Sequence, residues 1–246
     1  MKSASVVITG CSGGIGVALT QSFQKHGYWV IGMDRSSPPA DAHIDHYIEF
    51  DLQQVLNEDK AAELKAEILH NSQGEVKCLV NNAAYQVVVP VPELSLEDWM
   101  QTLSINLLAP FFLTKALLPA LERAVGSVIN IASIHHQLTK PQFVAYATSK
   151  AALSGLTQAM AVELGATVRI NGIAPAATDT PMLRSGFTDF DAESEALCAA
   201  HPQGRIAAAN EVADVALFLA SSSASFINGA IIPVDGGISS RLHDPV

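Results

Sequence analysis

Cysteine, basic charge, aromatic rings and unbroken apolar runs are all scarce in this chain, and each scarcity excludes a class of protein. The three cysteines, Cys11, Cys78 and Cys198, are scattered without a Cys-x-x-Cys spacing. They make neither a disulfide framework nor a structural zinc site, and they suit a reducing compartment. With 14 Lys and Arg against 24 Asp and Glu, the chain lacks the extended basic surface that nucleic acid or anionic membrane requires. Any phosphate it binds must be met locally, by backbone. The N-terminus enters Ser5-Val6-Val7-Ile8-Thr9 directly, with no charged region, long apolar region or cleavage site, so the expectation is a cytoplasmic protein without a secretory signal. The most apolar long stretch, Ile105 to Val125, is broken by Pro110, Lys115, Pro119, Glu122 and Arg123. That pattern reads as a buried helix, with an oligomer face as a second use, rather than as a membrane span.

What is present is apolar and alternating. Hydrophobic residues make up 49% and charged ones only 15%, enough for a large core and unlike a disordered chain. Short β-branched runs at Val6-Ile8, Trp29-Met33, Tyr47-Phe50, Val76-Val80, Ser127-Ile131, Val168-Ile173 and Ile231-Val234 are separated mostly by helical patterns. The helices are expected at 14–26, 55–70, 94–104, 105–124, 143–164 and 211–220. This predicts an α/β fold: one doubly wound Rossmann domain over residues 1–246, with a mainly seven-stranded parallel sheet and helices on both faces. Runs such as Val128-Ile129-Asn130-Ile131-Ala132 are apolar nearly throughout, as strands covered on both faces are. Ligands then gather beyond the carboxyl ends of the strands. The connection containing Ser36-Ser37-Pro38-Pro39 leaves little room for a helix, and 183–205, with weak periodicity, is expected to be a mobile flap over the substrate.

Two local patterns carry chemistry. Thr9-Gly10-Cys11-Ser12-Gly13-Gly14-Ile15-Gly16 lies between a strand and a helix, where bare backbone N–H groups and a helix N-terminus suit a pyrophosphate. In Tyr146-Ala-Thr-Ser-Lys150 the tyrosine and lysine share one helix face, so an ammonium can favour the ionised phenol and make it an acid or base. Asp34 ends the second strand about twenty residues past the loop, where a carboxylate accepts from ribose hydroxyls and repels a 2′-phosphate. That favours NAD over NADP, although Arg35 beside it could pair with a 2′-phosphate. Each pattern alone has an ordinary reading, as a flexible turn, a solvated helix face or a turn-starting acid. Adjacent His135 and His136 point apart if extended, so no metal site is expected.

In its motifs and their order the chain resembles the short-chain dehydrogenase/reductases along essentially its whole length. The match runs through the glycine loop, Asn81-Asn82-Ala83-Ala84, Asn106, Ser133, Tyr146, Lys150, Pro175-Ala176-Ala177-Thr178-Asp179-Thr180-Pro181-Met182 and Val234-Asp235-Gly236-Gly237. The resemblance implies hydride transfer between a nicotinamide and an alcohol or carbonyl carbon. Tyr146 would carry the proton, Ser133 would bind the substrate oxygen, Lys150 would stabilise the phenolate, and Asn106 would hold a relaying water. Gly10, Ser12, Gly14, Ile15, Gly16, Asp34, Asp51, Leu52, Asn82, Ala83, Ala84, Tyr146, Lys150, Thr178 and Thr180 would meet the cofactor. Ala84 and Ala176 stand where the family more often has glycine, and a positive φ at Ala176 would cost about 1 kcal/mol. Many relatives are homotetramers, which implies contacts through the helices at 105–121 and 143–164.

For the substrate, Gln86 and His135 lie at offsets resembling those of D-3-hydroxybutyrate dehydrogenases of this family, where such residues help bind a carboxylate. Those enzymes also carry a lysine three residues before the tyrosine, and here that position is Phe143. Lys140 and Arg184 are the nearest basic candidates. Substrate contacts are therefore expected from Gln86, Ser133, His135, Tyr146 and Arg184, with a small-molecule alcohol or ketone, and a hydroxy acid among the candidates. Two other readings are an NADPH-dependent carbonyl or 3-oxoacyl thioester reductase, and a non-catalytic dinucleotide-binding regulator.

Overall fold

The structure is a computed structural model that describes residues 4–242, the side chains of 191–193 excepted. Seven strands, β1 (Ser5–Thr9), β2 (Trp29–Asp34), β3 (His46–Glu49), β4 (Cys78–Asn81), β5 (Ser127–Ile131), β6 (Arg169–Pro175) and β7 (Ile231–Val234), build one sheet. Its order is β3-β2-β1-β4-β5-β6-β7 and every pair is parallel. The helices are α1 (Gly14–Lys25), α2 (Glu58–Asn71), α3 (Leu96–Leu103), α4 (Ala109–Arg123), α5 (Val144–Leu164), α6 (Pro181–Arg184), α7 (Phe190–Ala200) and α8 (Ala209–Ala220).

The two-residue period of each strand divides the core. Val6 and Ile8 of β1 join Leu19 and Phe23 of α1 and Val212, Ala216 and Leu219 of α8 on one face. Val7, between them, joins Leu64 and Ile68 of α2 and Leu113, Leu117 and Leu121 of α4 on the other. Burying each such Phe or Leu contributes about 1.5–3 kcal/mol. The chain order reverses between β1 and β4, which opens a crevice at their carboxyl ends.

Several boundaries differ from the sequence reading, each for a local reason. The helices expected at 94–104 and 105–124 are continuous, joined by a π-helical turn at Ser104–Leu108 whose flanks keep right-handed helical angles. The helix expected from Val55 starts at Glu58, because Asn57 caps it by accepting from Lys60 N at 3.1 Å. A separate 3₁₀ turn, Leu52–Leu56, precedes it. Residues 35–45, as expected, hold no helix, whereas the segment 183–205 contains α7 and the end of α6. The helical run Leu96–Arg123 is long and apolar enough to cross a membrane by length and composition. Its Ile105, Leu113, Leu117 and Leu121 pack into the core against the sheet.

Candidate functional site

The glycine loop begins where β1 ends and is stapled from both sides. Gly10 adopts φ +66°, the left-handed region that favours glycine, and a Cβ at Gly16 would stand 2.0 Å from Gly10 O. Asn82, at the end of β4, donates from Nδ2 to Thr9 O (3.0 Å) and Gly10 O (2.9 Å). Thr9 Oγ1 in turn accepts from Asn82 N (3.0 Å) and Ala83 N (3.1 Å). The first turn of α1 has no acidic residue, and its N-cap, Gly13, provides no side-chain hydrogen bond. The donors of that turn are thus left for an anion, and a Cβ built on Gly13 meets only Gly10 O, at 3.5 Å. These features fit a dinucleotide pyrophosphate.

At the neighbouring strand end, the Asp34 carboxylate accepts from Ser12 N (3.0 Å) and Ser36 N (3.3 Å). Tyr47 Oη donates to the carbonyls of Asp34 and Ser36. Arg35 is exposed beside them. Asp51 caps its 3₁₀ turn by accepting from Gln53 N, and Leu52 is buried. Ile15, Ala83 and Ala84 are half-buried around the crevice. On the opposite wall, Thr178 is buried and donates to Ala176 O at 3.1 Å. A Cβ at Gly14 would meet Thr180 Cγ2 at 2.8 Å, so the base of the flap rests on the glycine loop. Ala176 is not among the residues with positive φ, and its methyl carries no left-handed strain.

α5 brings Tyr146 and Lys150 under the carboxyl ends of β5 and β6, both buried. Lys150 Nζ donates to Ile131 O at 2.7 Å and lies 5.6 Å from the Tyr146 ring centroid. Burial pushes the phenol of Tyr146 up to about 12, and a hydrogen bond with Ser133 opposes that rise. Burial lowers Lys150 to about 7. The helix spacing predicts an ammonium that lowers the phenol; in the structure desolvation dominates both groups. Ser133, in extended backbone, caps the 3₁₀ turn Ile134–His136 by accepting from His135 N.

Asn106 sits in the π-helical turn, a local geometry common at functional sites. Its Oδ1 accepts from Tyr85 N (2.8 Å), and its Nδ2 donates to Tyr85 O and Ser149 Oγ (both 2.9 Å). Both amide protons are therefore committed to protein. Sequence reasoning missed Thr9, Ser149 and the buried chain in which Asn81 Nδ2 donates to Asn130 and Asn130 Nδ2 to Thr157. All three depend on partners distant in sequence.

The side expected to face substrate is aromatic. His135 stacks on Phe143 with centroids 4.7 Å apart and planes 10° from parallel, and meets Tyr146 edge-on at 5.8 Å. Burial, with the nearby charge of Lys140, lowers His135 to about 4, so the imidazole is neutral. Phe143 follows Gln142, whose φ of +73° turns the chain into α5. Lys140 Nζ lies 4.5 Å from the Phe143 ring centroid. Arg184, expected to contact substrate, makes a two-point ion pair with Asp179 (2.7 and 2.9 Å) and stands 4.4 Å from the Phe190 ring centroid. The missing lysine's place is thus filled by a ring. Gln86 is half-buried in the loop beyond Tyr85.

Comparison with known proteins agrees with this geometry. A family model described as Enoyl-(Acyl carrier protein) reductase matches residues 10–239. The chain is 31% identical to gluconate 5-dehydrogenase of Gluconobacter oxydans, over 98% of this chain and 97% of that protein. It is 32% identical to 3beta-hydroxysteroid dehydrogenase 1 of Eggerthella lenta, over 97% and 94%. The ligand-free structure of Thermoplasma acidophilum aldohexose dehydrogenase superposes with a TM-score of 0.93 at 31% identity, covering 100% of this chain and 97% of that one.

Proposed function

The chain belongs to the short-chain dehydrogenase/reductase family of NAD(P)-dependent alcohol and ketone oxidoreductases, and on that premise we propose that it uses NAD(H) on a small, neutral, hydroxyl-rich compound. The observation that carries this reading is the Tyr146, Lys150, Ser133 and Asn106 cluster beside a glycine loop open to pyrophosphate. When bound, the nicotinamide accepts or gives the hydride. Tyr146 moves the proton: as the phenol it would donate to the incipient alkoxide in reduction, leaving a phenolate, and as the phenolate it would take the hydroxyl proton in oxidation. Ser133 hydrogen-bonds the same oxygen. Lys150, in its protonated form, would add a positive field that favours the phenolate, and Asn106 holds the loop at Tyr85.

The NAD assignment is supported by Asp34, whose carboxylate ends β2 beside the glycine loop and would repel a 2′-phosphate there. Asp51 and Leu52 would hold the adenine, and Thr178 and Thr180 the nicotinamide end. A neutral substrate is favoured because Phe143 takes the cation's position, His135 is uncharged and Arg184 is paired with Asp179. Gln86 and His135 then bind hydroxyl groups, under a cover formed by 183–205. The protein acts in the cytoplasm as a homotetramer, supported by the exposed Leu96 and Met100 on α3 and Val144 and Val162 on α5.

The test is a panel of polyols, aldohexoses and 3-hydroxybutyrate with NAD and NADP, followed by NADH absorbance. Turnover of polyols or sugars with NAD is expected to lead. Faster turnover of 3-hydroxybutyrate would overturn the neutral-substrate reading. Tighter binding of NADPH than NADH, reversed by Arg35→Ala, would overturn the cofactor reading in favour of a reductase.

A further inference from the structure

Ser149 lies between Tyr146 and Lys150 on α5, is fully buried, and connects two hydrogen-bonding partners. Its hydroxyl donates to Tyr146 O at 2.7 Å and accepts from Asn106 Nδ2 at 2.9 Å. A hydroxyl has one proton. With that proton given to Tyr146 O, Asn106 can only donate to it. The amide of Asn106 is fixed a second time by Tyr85, which supplies both an N–H at 2.8 Å and a carbonyl at 2.9 Å. Flipping the amide would set Oδ1 against Tyr85 O and Nδ2 against Tyr85 N, with no proton to share in the first pair and two in the second.

We propose that Ser149 is a positioning residue that locks Asn106 and, through it, joins α5 to the loop behind β4. The inference rests on the reading of Tyr146 and Asn106 as parts of the catalytic site. One hydroxyl thus ties together three segments far apart in the chain: the helix bearing the proton carrier, the π-helical turn and the loop at Ala84 and Tyr85. No other hydroxyl on α5 does this. Ser154 only returns a hydrogen bond to Lys150 O, and Thr157 serves the Asn130 chain. Without Ser149 Oγ, one Asn106 N–H is buried with no partner and the amide is held by Tyr85 alone.

The experiment compares Ser149→Ala, Asn106→Ala, the double variant and Tyr146→Phe, each with circular dichroism and a thermal melt to verify folding. Ser149→Ala is expected to lower kcat about ten-fold, in line with sub-ångström misplacement of reacting groups. The Kd for NADH should change less than about two-fold, and the pH profile of kcat should move. In the Asn106→Ala background the same change should cost less than about two-fold, because the two residues act as one unit. Ser149→Thr, which keeps the hydroxyl, should restore most of kcat. A wild-type kcat and pH profile in Ser149→Ala, or an undiminished ten-fold cost in the Asn106→Ala background, would overturn the proposal. Should Ser149→Ala fail to fold, the same cycle run with Ser149→Cys, a poor acceptor, decides it by the same criteria. If Tyr146→Phe retains turnover, the underlying reading of the site fails instead, whatever Ser149 does.

Discussion

The two sides of the crevice are built differently. On the proton and cofactor side, Thr9, Asn82, Asn106, Ser149 and Lys150 each bond to backbone or to one another within a largely buried network. On the side proposed to face substrate, His135 and Phe143 hold each other by ring stacking, and Arg184 and Asp179 pair with side chains 49% and 44% exposed. Buried hydrogen bonds to backbone tolerate almost no displacement, whereas ring stacks and exposed ion pairs shift at low cost. The hydrogen-bonded side is thus fixed by the fold, whereas the contacts of His135, Phe143 and Arg184 can be exchanged without unfolding it.

Three measurements sharpen or break that contrast. The largest effect is expected from Tyr146→Phe: loss of the proton carrier should lower kcat/KM by at least about 10²–10⁴-fold with the melting temperature little changed, and steady-state kinetics that match the wild type would break it. Next is the pH dependence of stability. Lys150 has its pKa lowered by burial to about 7 from 10.5, so between these values the unfolded state binds more protons than the folded one. Its contribution to stability therefore rises with pH across that window, with a slope of at most about 1.4 kcal/mol per pH unit. Urea titrations at pH 7.5 and 9.5 should show wild-type stability rising relative to Lys150→Met; parallel behaviour would mean the ammonium is not desolvated. The smallest effect is at Arg184→Ala. An exposed pair contributes up to about 1 kcal/mol, so thermal denaturation should move by a few degrees at most. If Arg184 only braces the flap, substrate KM should change less than about three-fold; a rise beyond ten-fold, read from initial rates, would place it on the substrate.

The glycine loop, Tyr146, Lys150 and Asp34 were legible in the sequence because their signal is local: a residue type at a spacing that a strand, turn or helix converts into position. The parallel sheet was legible for the same reason, its strands being apolar on both faces. Phe143 was visible as a departure, but the stack it forms with His135 was not, since ring orientation is decided by packing. The pairing of Arg184 with Asp179 likewise depends on α6, too short to announce itself. Helix α7 was missed because Phe190–Ala200 lacks a strong apolar stripe. The π-helical turn has no residue signature at all; its flanks read as ordinary helix.

That turn has a consequence for how the chain could change length. Five residues at Ser104–Leu108 occupy a winding that an ordinary helix would complete with one fewer. Deleting a residue there would heal the helix and leave its flanks facing as before, but it would remove the widened turn that presents Asn106. Tyr85 and Ser149 could then no longer both be reached from the position of Asn106. An insertion or deletion that most surface loops would absorb would here leave a regular helix and a dismantled site, so Leu96–Arg123 is a stretch whose length is set by the reaction as much as by the fold.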